Sequence, residues 1–211
     1  MDLLAQISDS LIRGEDEQVG ELTRKAIEQQ MPAKQILDDG LLAGMGVVGD
    51  QFKAHEIFLP DVLLAARAMY AGMDPLRPLL VQEGVPSLGK IVIGSVQGDQ
   101  HDIGKNLVGI MLKGAGFDVI DLGNNVAPES FVSTAREHEA PVIGMSALLT
   151  TTMSVMKKVV ELVEEQGEGK IKIIVGGAPV SAEFAAEIGA DAYGFDAANA
   201  TDRVKELMDR S

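Results

Sequence analysis

Residues 90–115 read KIVIGSVQGDQHDIGKNLVGIMLKGA, and this stretch decides the fold. Ile91–Val96 is a short run rich in Val and Ile, the composition of a strand buried on both faces. A polar loop interrupts it, and from 104 to 115 apolar residues return at helical spacing. A strand, a loop and a helix in so short a span make the unit from which parallel sheets are built.

The same unit recurs towards the C-terminus. Asp118–Leu122 precedes a helical pattern over 128–138, Val142–Ser146 one over 152–166, Ile171–Gly176 one over 181–188, and Asp191–Phe195 one over 197–209. Five strands, each followed by a helix, predict an α/β fold with a five-stranded, parallel, doubly wound sheet of flavodoxin-like type. Such sheets bind ligands at the carboxyl ends of their strands, where strand order reverses. The loops after the strands are therefore where function is sought.

Working outward in the other direction, residues 2–83 follow a different pattern. Leu3, Leu4, Ile7, Leu11 and Ile12 repeat at helical spacing until Gly14. A second helix is expected from about Glu15 to Gln30, with acids in its first turn that suit the positive end of the helix dipole. Pro32 stands where a third begins, carried on by Ile36, Leu37, Leu41, Met45 and Val48. Leu59–Pro60 opens a last helix through Val62, Leu63, Ala66 and Met69 to about Val81. Four helices with short loops predict a small bundle. The Gly- and Pro-containing stretch Gln82–Lys90 reads as a linker, dividing the chain into 1–84 and 85–211.

The 211 residues suffice to bury a core, and 46% hydrophobic with 24% charged residues is the composition of an ordinary globular protein. The net charge is −14, from 18 basic against 32 acidic residues, with the acidic excess present in both halves. Neither half offers a basic face to phosphates, so neither nucleic acid nor membrane is expected as a partner. Cysteine is absent, which removes disulfides, thiolate metal sites and thiol nucleophiles. The N-terminus lacks the charged-then-apolar grammar of a signal peptide, and a cytoplasmic location is expected.

The loop Gln97–Asn106 holds the chemistry. Gly98 and Gly104-Lys105 superficially suggest a phosphate loop, but one residue too many lies between the glycines. Asn106 stands where a Ser or Thr would hold magnesium, and the dinucleotide fingerprint is also absent. What remains is Asp99-x-His101-x-x-Gly104. A neutral imidazole is a common metal ligand, and a carboxylate two residues away can accept its other N–H, fixing the tautomer. Gly104 is expected to let the chain turn sharply into the next helix.

This run resembles the signature of the cobalamin-binding domain shared by methionine synthase, the corrinoid mutases and the methyl-carrying corrinoid proteins. Three further stretches match in order: Asp121-Leu122-Gly123 through Val126 and Pro128, Val142 through Leu148, and Val175-Gly176-Gly177. In the helical half, Gly44 through Phe52 followed by Glu56 through Pro60 resembles the helical cap that precedes this domain in methionine synthase. The resemblance covers essentially all of 85–211 and implies a helical cap domain followed by a cobalamin-binding domain.

The resemblance implies a cobalamin or related corrinoid cofactor in a methylcobalamin/cob(I)alamin cycle. It implies His101 as the lower axial ligand of cobalt and contacts to the cofactor from Gly98, Asp99, Gln100, His101, Asp102, Ile103 and Gly104. Ser146, Gly176 and Gly177 would line a slot for the nucleotide tail, although tight turns alone would also call for the two glycines, and Leu148 and Thr150 would also contact the cofactor. Phe52 and Leu59, seven positions apart, match the cap residues that shield the upper corrin face, with ordinary core packing as the alternative. Asp99, His101 and Thr152 match a His–Asp–hydroxyl relay, unless one of Thr150–Thr152 caps the following helix. His55 and His138 are expected at the surface.

The function implied is that of a non-catalytic corrinoid methyl carrier of an anaerobic methyltransferase system. Its partners would be a substrate-specific methyltransferase, a methyl-acceptor methyltransferase of tetrahydrofolate or coenzyme M type, and a reductive activase. The alternatives are a B12-dependent regulator, which would want a DNA-binding head, and the small subunit of an adenosylcobalamin mutase. The mutases generally lack a cap of the Phe52–Leu59 kind.

Overall fold

The computed structural model describes residues 2–85, 87–167 and 171–209. Pro86, within the expected linker, lies outside the described residues. The chain divides into two compact units, Met1–Pro86 with Gly114–Gly116, and Ser87–Lys113 with Phe117–Ser211.

The first unit is helical. Its elements are α1 (Leu3–Ile12), α2 (Asp16–Glu28), α3 (Ala33–Gln35), α4 (Ala43–Lys53) and α5 (Leu59–Gln82). A π-helical segment, Ile36–Leu42, joins α3 to α4, so that 33–53 forms one continuous third helix, wider in the middle than sequence periodicity foretells. Ile7, Leu11, Val19, Ile36, Leu41, Val48, Val62 and Leu76 are buried in its core. The helices start where local chemistry dictates. Pro60 occupies the first turn of α5, and the Phe58 N–H donates to the Asp61 carboxylate at 2.9 Å.

The second unit alternates strand and helix: β1 (Lys90–Ser95), α6 (Ile103–Gly114), β2 (Asp118–Asp121), α7 (Pro128–Glu137), β3 (Val142–Ser146), α8 (Met153–Glu165), β4 (Lys172–Gly176), α9 (Ala182–Glu187), β5 (Ala192–Gly194) and α10 (Ala197–Met208). All four strand pairings are parallel, in the order β2-β1-β3-β4-β5. This is the flavodoxin-like order, with its switch point between β1 and β3. The central strands are buried on both faces, which is why Ile91–Ile93 and Ile173–Val175 read as unbroken apolar runs. Phe131, Met156, Val159 and Val163 carry one helical layer onto that sheet. The geometry places the loops after β1 and β3 side by side.

Candidate functional site

Asp99 lies in the loop after β1 and is completely buried. An isolated carboxylate there would be costly, yet this one is surrounded by donors. Oδ1 accepts from the His101 backbone N–H at 3.0 Å and faces His101 Nδ1 at 2.8 Å. Oδ2 accepts from the backbone N–H groups of Leu148 (2.7 Å) and Leu149 (3.1 Å), and from the Thr152 hydroxyl at 3.0 Å. Burial pushes the Asp99 carboxyl up, but the bonds from Leu148 N–H, from both His101 groups and from Leu149 N–H outweigh it and hold it well below the usual carboxylate range. Asp99 is therefore an ionised carboxylate spanning the switch point, one oxygen for each loop.

That ionised carboxylate orients His101. Its Oδ1 can only accept, so neutral His101 carries its proton on Nδ1 and presents Nε2 as the free donor atom. The His101 side chain is 52% exposed, while its partner is fully buried. The backbone is held as well: Ser95, completely buried at the end of β1, donates its hydroxyl to the His101 carbonyl at 2.7 Å.

Thr152 is the N-cap residue of α8 by position, but its side chain makes no capping bond. Its single hydroxyl proton instead lies within reach of two acceptors, Asp99 Oδ2 at 3.0 Å and the Leu149 carbonyl at 2.8 Å. Thr150 and Thr151 are exposed. The structure thus draws Asp99, His101 and Thr152 into one hydrogen-bonded line, with the Leu148 N–H on the same carboxylate.

The glycines divide into two kinds. At Gly177 φ is +126°, and an added Cβ would stand 1.9 Å from the Ala147 carbonyl oxygen. At Gly176 a Cβ would stand 2.8 Å from the Gly194 carbonyl oxygen. Backbone packing alone therefore requires both, whatever lies beside them. Gly98 (φ +87°) makes the loop turn. Gly104 does not do what sequence suggested: it lies inside the first turn of α6, without a positive φ, and a Cβ there would meet nothing within 4 Å. The sharp turn belongs to Gly98, and Gly104 leaves open space beside the His101 loop.

The remaining expected residues are placed as follows. Gln100 is exposed, and the Asp102 carbonyl accepts from the Asn106 N–H at 2.7 Å, starting α6. Ser146 ends β3, and its carbonyl accepts from Val96 N–H at 3.0 Å. Ile103 at the start of α6, and Leu148, Leu149 and Phe195 in the loops after β3 and β5, are large apolar side chains that are exposed. In the helical unit, Phe52 in the last turn of α4 and Leu59 at the start of α5 are each partly buried. His55 and His138 are exposed.

Sequence reasoning missed three supports. Ser95 was visible as a polar residue ending an apolar strand. Asn125 adopts a left-handed conformation (φ 53°), which the Gly123-Asn124-Asn125 run permits. Lys105 is buried, with Nζ 2.6 and 2.5 Å from the two carboxylate oxygens of Asp121 and 2.6 Å from Asn106 Oδ1. A lone cation at the positive end of a helix was the signal for it.

The described residues contain no cluster of three or more His, Cys, Asp and Glu that could hold a free metal ion. His101 offers a single, carboxylate-oriented nitrogen. An apolar fringe and the open space at Gly104 complete a site suited to a broad metallocofactor that brings its other ligands with it. Fold and site together define a metallocofactor-binding protein of flavodoxin-like type.

A B12 binding domain model matches residues 89–204, and a second B12 binding domain model matches residues 3–77. The chain is 41% identical over 212 residues to a corrinoid protein of Desulfitobacterium hafniense (strain Y51), covering 99% of this chain and 98% of that one. It is 43% identical over 209 residues to the dimethylamine corrinoid protein of Methanosarcina barkeri, covering 98% of each. Among solved structures, the methanol:cobalamin methyltransferase complex of Methanosarcina barkeri matches with a TM-score of 0.90 at 32% identity, over 99% of this chain and 80% of that one. The chain belongs to the family of B12-binding corrinoid proteins. Its cofactor is a corrinoid. No helix among the described residues is long and apolar enough to cross a membrane.

Proposed function

We propose that this protein carries a methyl group on the cobalt of its corrinoid between a substrate-specific methyltransferase and a second methyltransferase. The observation that carries the reading is the line His101–Asp99–Thr152 at the switch point, in a chain matched end to end by corrinoid proteins of methylamine systems. When bound, a corrinoid supplies a cobalt centre able to accept and to surrender a methyl group.

The chain's own residues hold and tune that centre. His101 Nε2, left free by the contact of Nδ1 with Asp99, would hold the cobalt. Asp99 fixes the tautomer of His101 by accepting from its Nδ1–H. Thr152 can turn its hydroxyl from Asp99 to the Leu149 carbonyl, so the carboxylate can gain or lose one donor. Gly98 through Gly104, with Ser146, Leu148, Thr150, Gly176 and Gly177, form the cofactor-facing surface of the 85–211 domain. The 1–84 domain acts as a cap, with Phe52 and Leu59 as its shielding side chains.

The donor enzyme is assigned to the methylamine class, on the strength of the relatives' names. The acceptor is a tetrahydrofolate or coenzyme M methyltransferase, and a reductive activase restores the reduced cofactor. The work is assigned to the cytoplasm, which a cysteine-free chain suits.

The test of the axial ligand loads the chain with cobalamin whose own base carries 15N and records the paramagnetic spectrum of the Co(II) state. Coupling to a protein nitrogen that vanishes in His101→Ala is expected. Coupling to the labelled base of the cofactor would refute the assignment.

A further inference from the structure

Asn125 stands between β2 and α7, and its hydrogen bonds go to Gly98 and Asp99 rather than to His101 or Thr152. Its Oδ1 accepts the Gly98 N–H at 2.8 Å, and its own N–H donates to the Asp99 carbonyl at 2.9 Å. One residue thus holds both sides of the Gly98–Asp99 pair. The next residue, Val126, pairs with the end of β1 in the ordinary way: it bridges Val96, and its N–H donates to the Ser95 carbonyl at 3.0 Å. Beyond Val96 the chain turns at Gly98 (φ +87°), and regular pairing cannot continue. The Asn125 side chain supplies the acceptor that a backbone carbonyl would have given. It does so from a left-handed backbone (φ 53°), a conformation that asparagine tolerates better than most residues.

We infer that Asn125 is a positioning residue for the cobalt ligand, acting through the backbone of Asp99. The Asp99 carboxylate must meet donors from two loops at once, and its two oxygens have no slack: the five donors lie between 2.7 and 3.1 Å. Where the Asp99 backbone sits decides whether Oδ1 lies in line with His101 Nδ1. The second loop reinforces the hold from the same side, with Asn124 Nδ2 3.4 Å from the Gln100 carbonyl and Asp121 binding Lys105. The inference rests on the reading of His101 as axial ligand and adds the residue that aims it.

Two variants isolate the acceptor atom. Asn125→Gly keeps the left-handed backbone and the N–H, and loses only Oδ1. Asn125→Asp keeps an acceptor at the same place. The full chain is grown with 15N-histidine and loaded with cobalamin, and the histidine coupling in the Co(II) spectrum gives the ratio of His-ligated to unligated protein. In Asn125→Gly this ratio should fall about tenfold with cobalamin still bound, equivalent to about 1.4 kcal/mol. Asn125→Asp should match the parent. Parent-like ligation in Asn125→Gly overturns the inference, and so does an Asn125→Asp variant as impaired as the glycine. Amide exchange in the unloaded parent gives a check free of variants: the Gly98 N–H should be protected, and unprotected exchange there overturns the clamp. Absence of histidine coupling in the parent would instead refute the axial-ligand reading itself.

Discussion

Replacing Asp99 by Asn changes one atom in a place where every atom is engaged. Four N–H groups and one hydroxyl point at the carboxylate. An amide supplies one acceptor oxygen and one donor nitrogen, so one set of protein donors faces an NH2 group. The less costly orientation keeps the oxygen towards Leu148, Leu149 and Thr152, and turns the NH2 towards His101. The His101 backbone N–H then loses its acceptor, at about 1–3 kcal/mol. His101 Nδ1 must also become an acceptor, which moves the ring proton to Nε2, the atom proposed to hold cobalt. The loss of charge-assisted bonds to Leu148 and Leu149 adds about 1 kcal/mol.

The sum is about 2–4 kcal/mol, a large part of the roughly 5–15 kcal/mol that stabilises a typical domain. For a chain of this size each kcal/mol shifts the melting point by about 2–4 °C, so Asp99→Asn should melt about 5–15 °C lower. The assay is thermal unfolding of the unloaded protein by circular dichroism, with 15N NMR of the imidazole to read the tautomer. A melting point within about 1 °C of the parent, or a ring still protonated on Nδ1, would refute the account of Asp99.

The remaining expectations follow from the same contacts. The Asp99 carboxyl is held below its ordinary value, so its stabilising contribution is fully present above the unfolded-state pKa near 3.9 and is lost as pH falls through the lower folded value; urea midpoints should drop on acidification below about pH 4, less steeply in Asp99→Asn. Lys105→Met leaves the Asp121 carboxylate without its buried cation; because that side chain is about one-third exposed, a loss of about 2 kcal/mol is expected in urea denaturation, with Asp121→Asn in the same background restoring part of it. Gly177→Ala, with its Cβ driven against the Ala147 carbonyl, should lose about 3 kcal/mol or fail to fold, whereas Gly104→Ala should leave the unloaded protein within about 0.5 kcal/mol of the parent and weaken corrinoid retention on gel filtration. Phe52→Ala with Leu59→Ala should keep the cofactor but speed photolysis of the methyl-loaded protein, and equal rates would assign both residues to ordinary packing.

Much of this is legible in the sequence alone. The five strands and the four-helix pattern follow from hydrophobic periodicity, because burial on both faces forces Ile91–Ile93 and Ile173–Val175 to be apolar, while burial on one face forces the 3.6-residue stripe of α1. The π-helical widening at Ile36–Leu42 was not legible, since an extra residue in one turn leaves no composition mark. Asp99, His101 and Thr152 were legible as residue types whose spacing resembles that of a known family. Ser95 and Asn125 were not singled out, because they act through main-chain groups, and a hydrogen bond to a backbone places few demands on sequence pattern.

What the sequence by itself determined is the set of parts: a parallel sheet, a helical domain before it, and an imidazole with a carboxylate two residues away. What only the tertiary structure decided is how those parts act together. Residues 99 and 152 are far apart in the chain, and it is the 2-1-3 strand order that sets their loops side by side. The ionised state of Asp99 depends on two backbone N–H groups from the loop after β3, and no local pattern encodes those donors. The same holds for the glycines: Gly177 is fixed by the carbonyl of Ala147 and Gly104 by nothing in the protein, a distinction of distances that one-letter identities cannot carry.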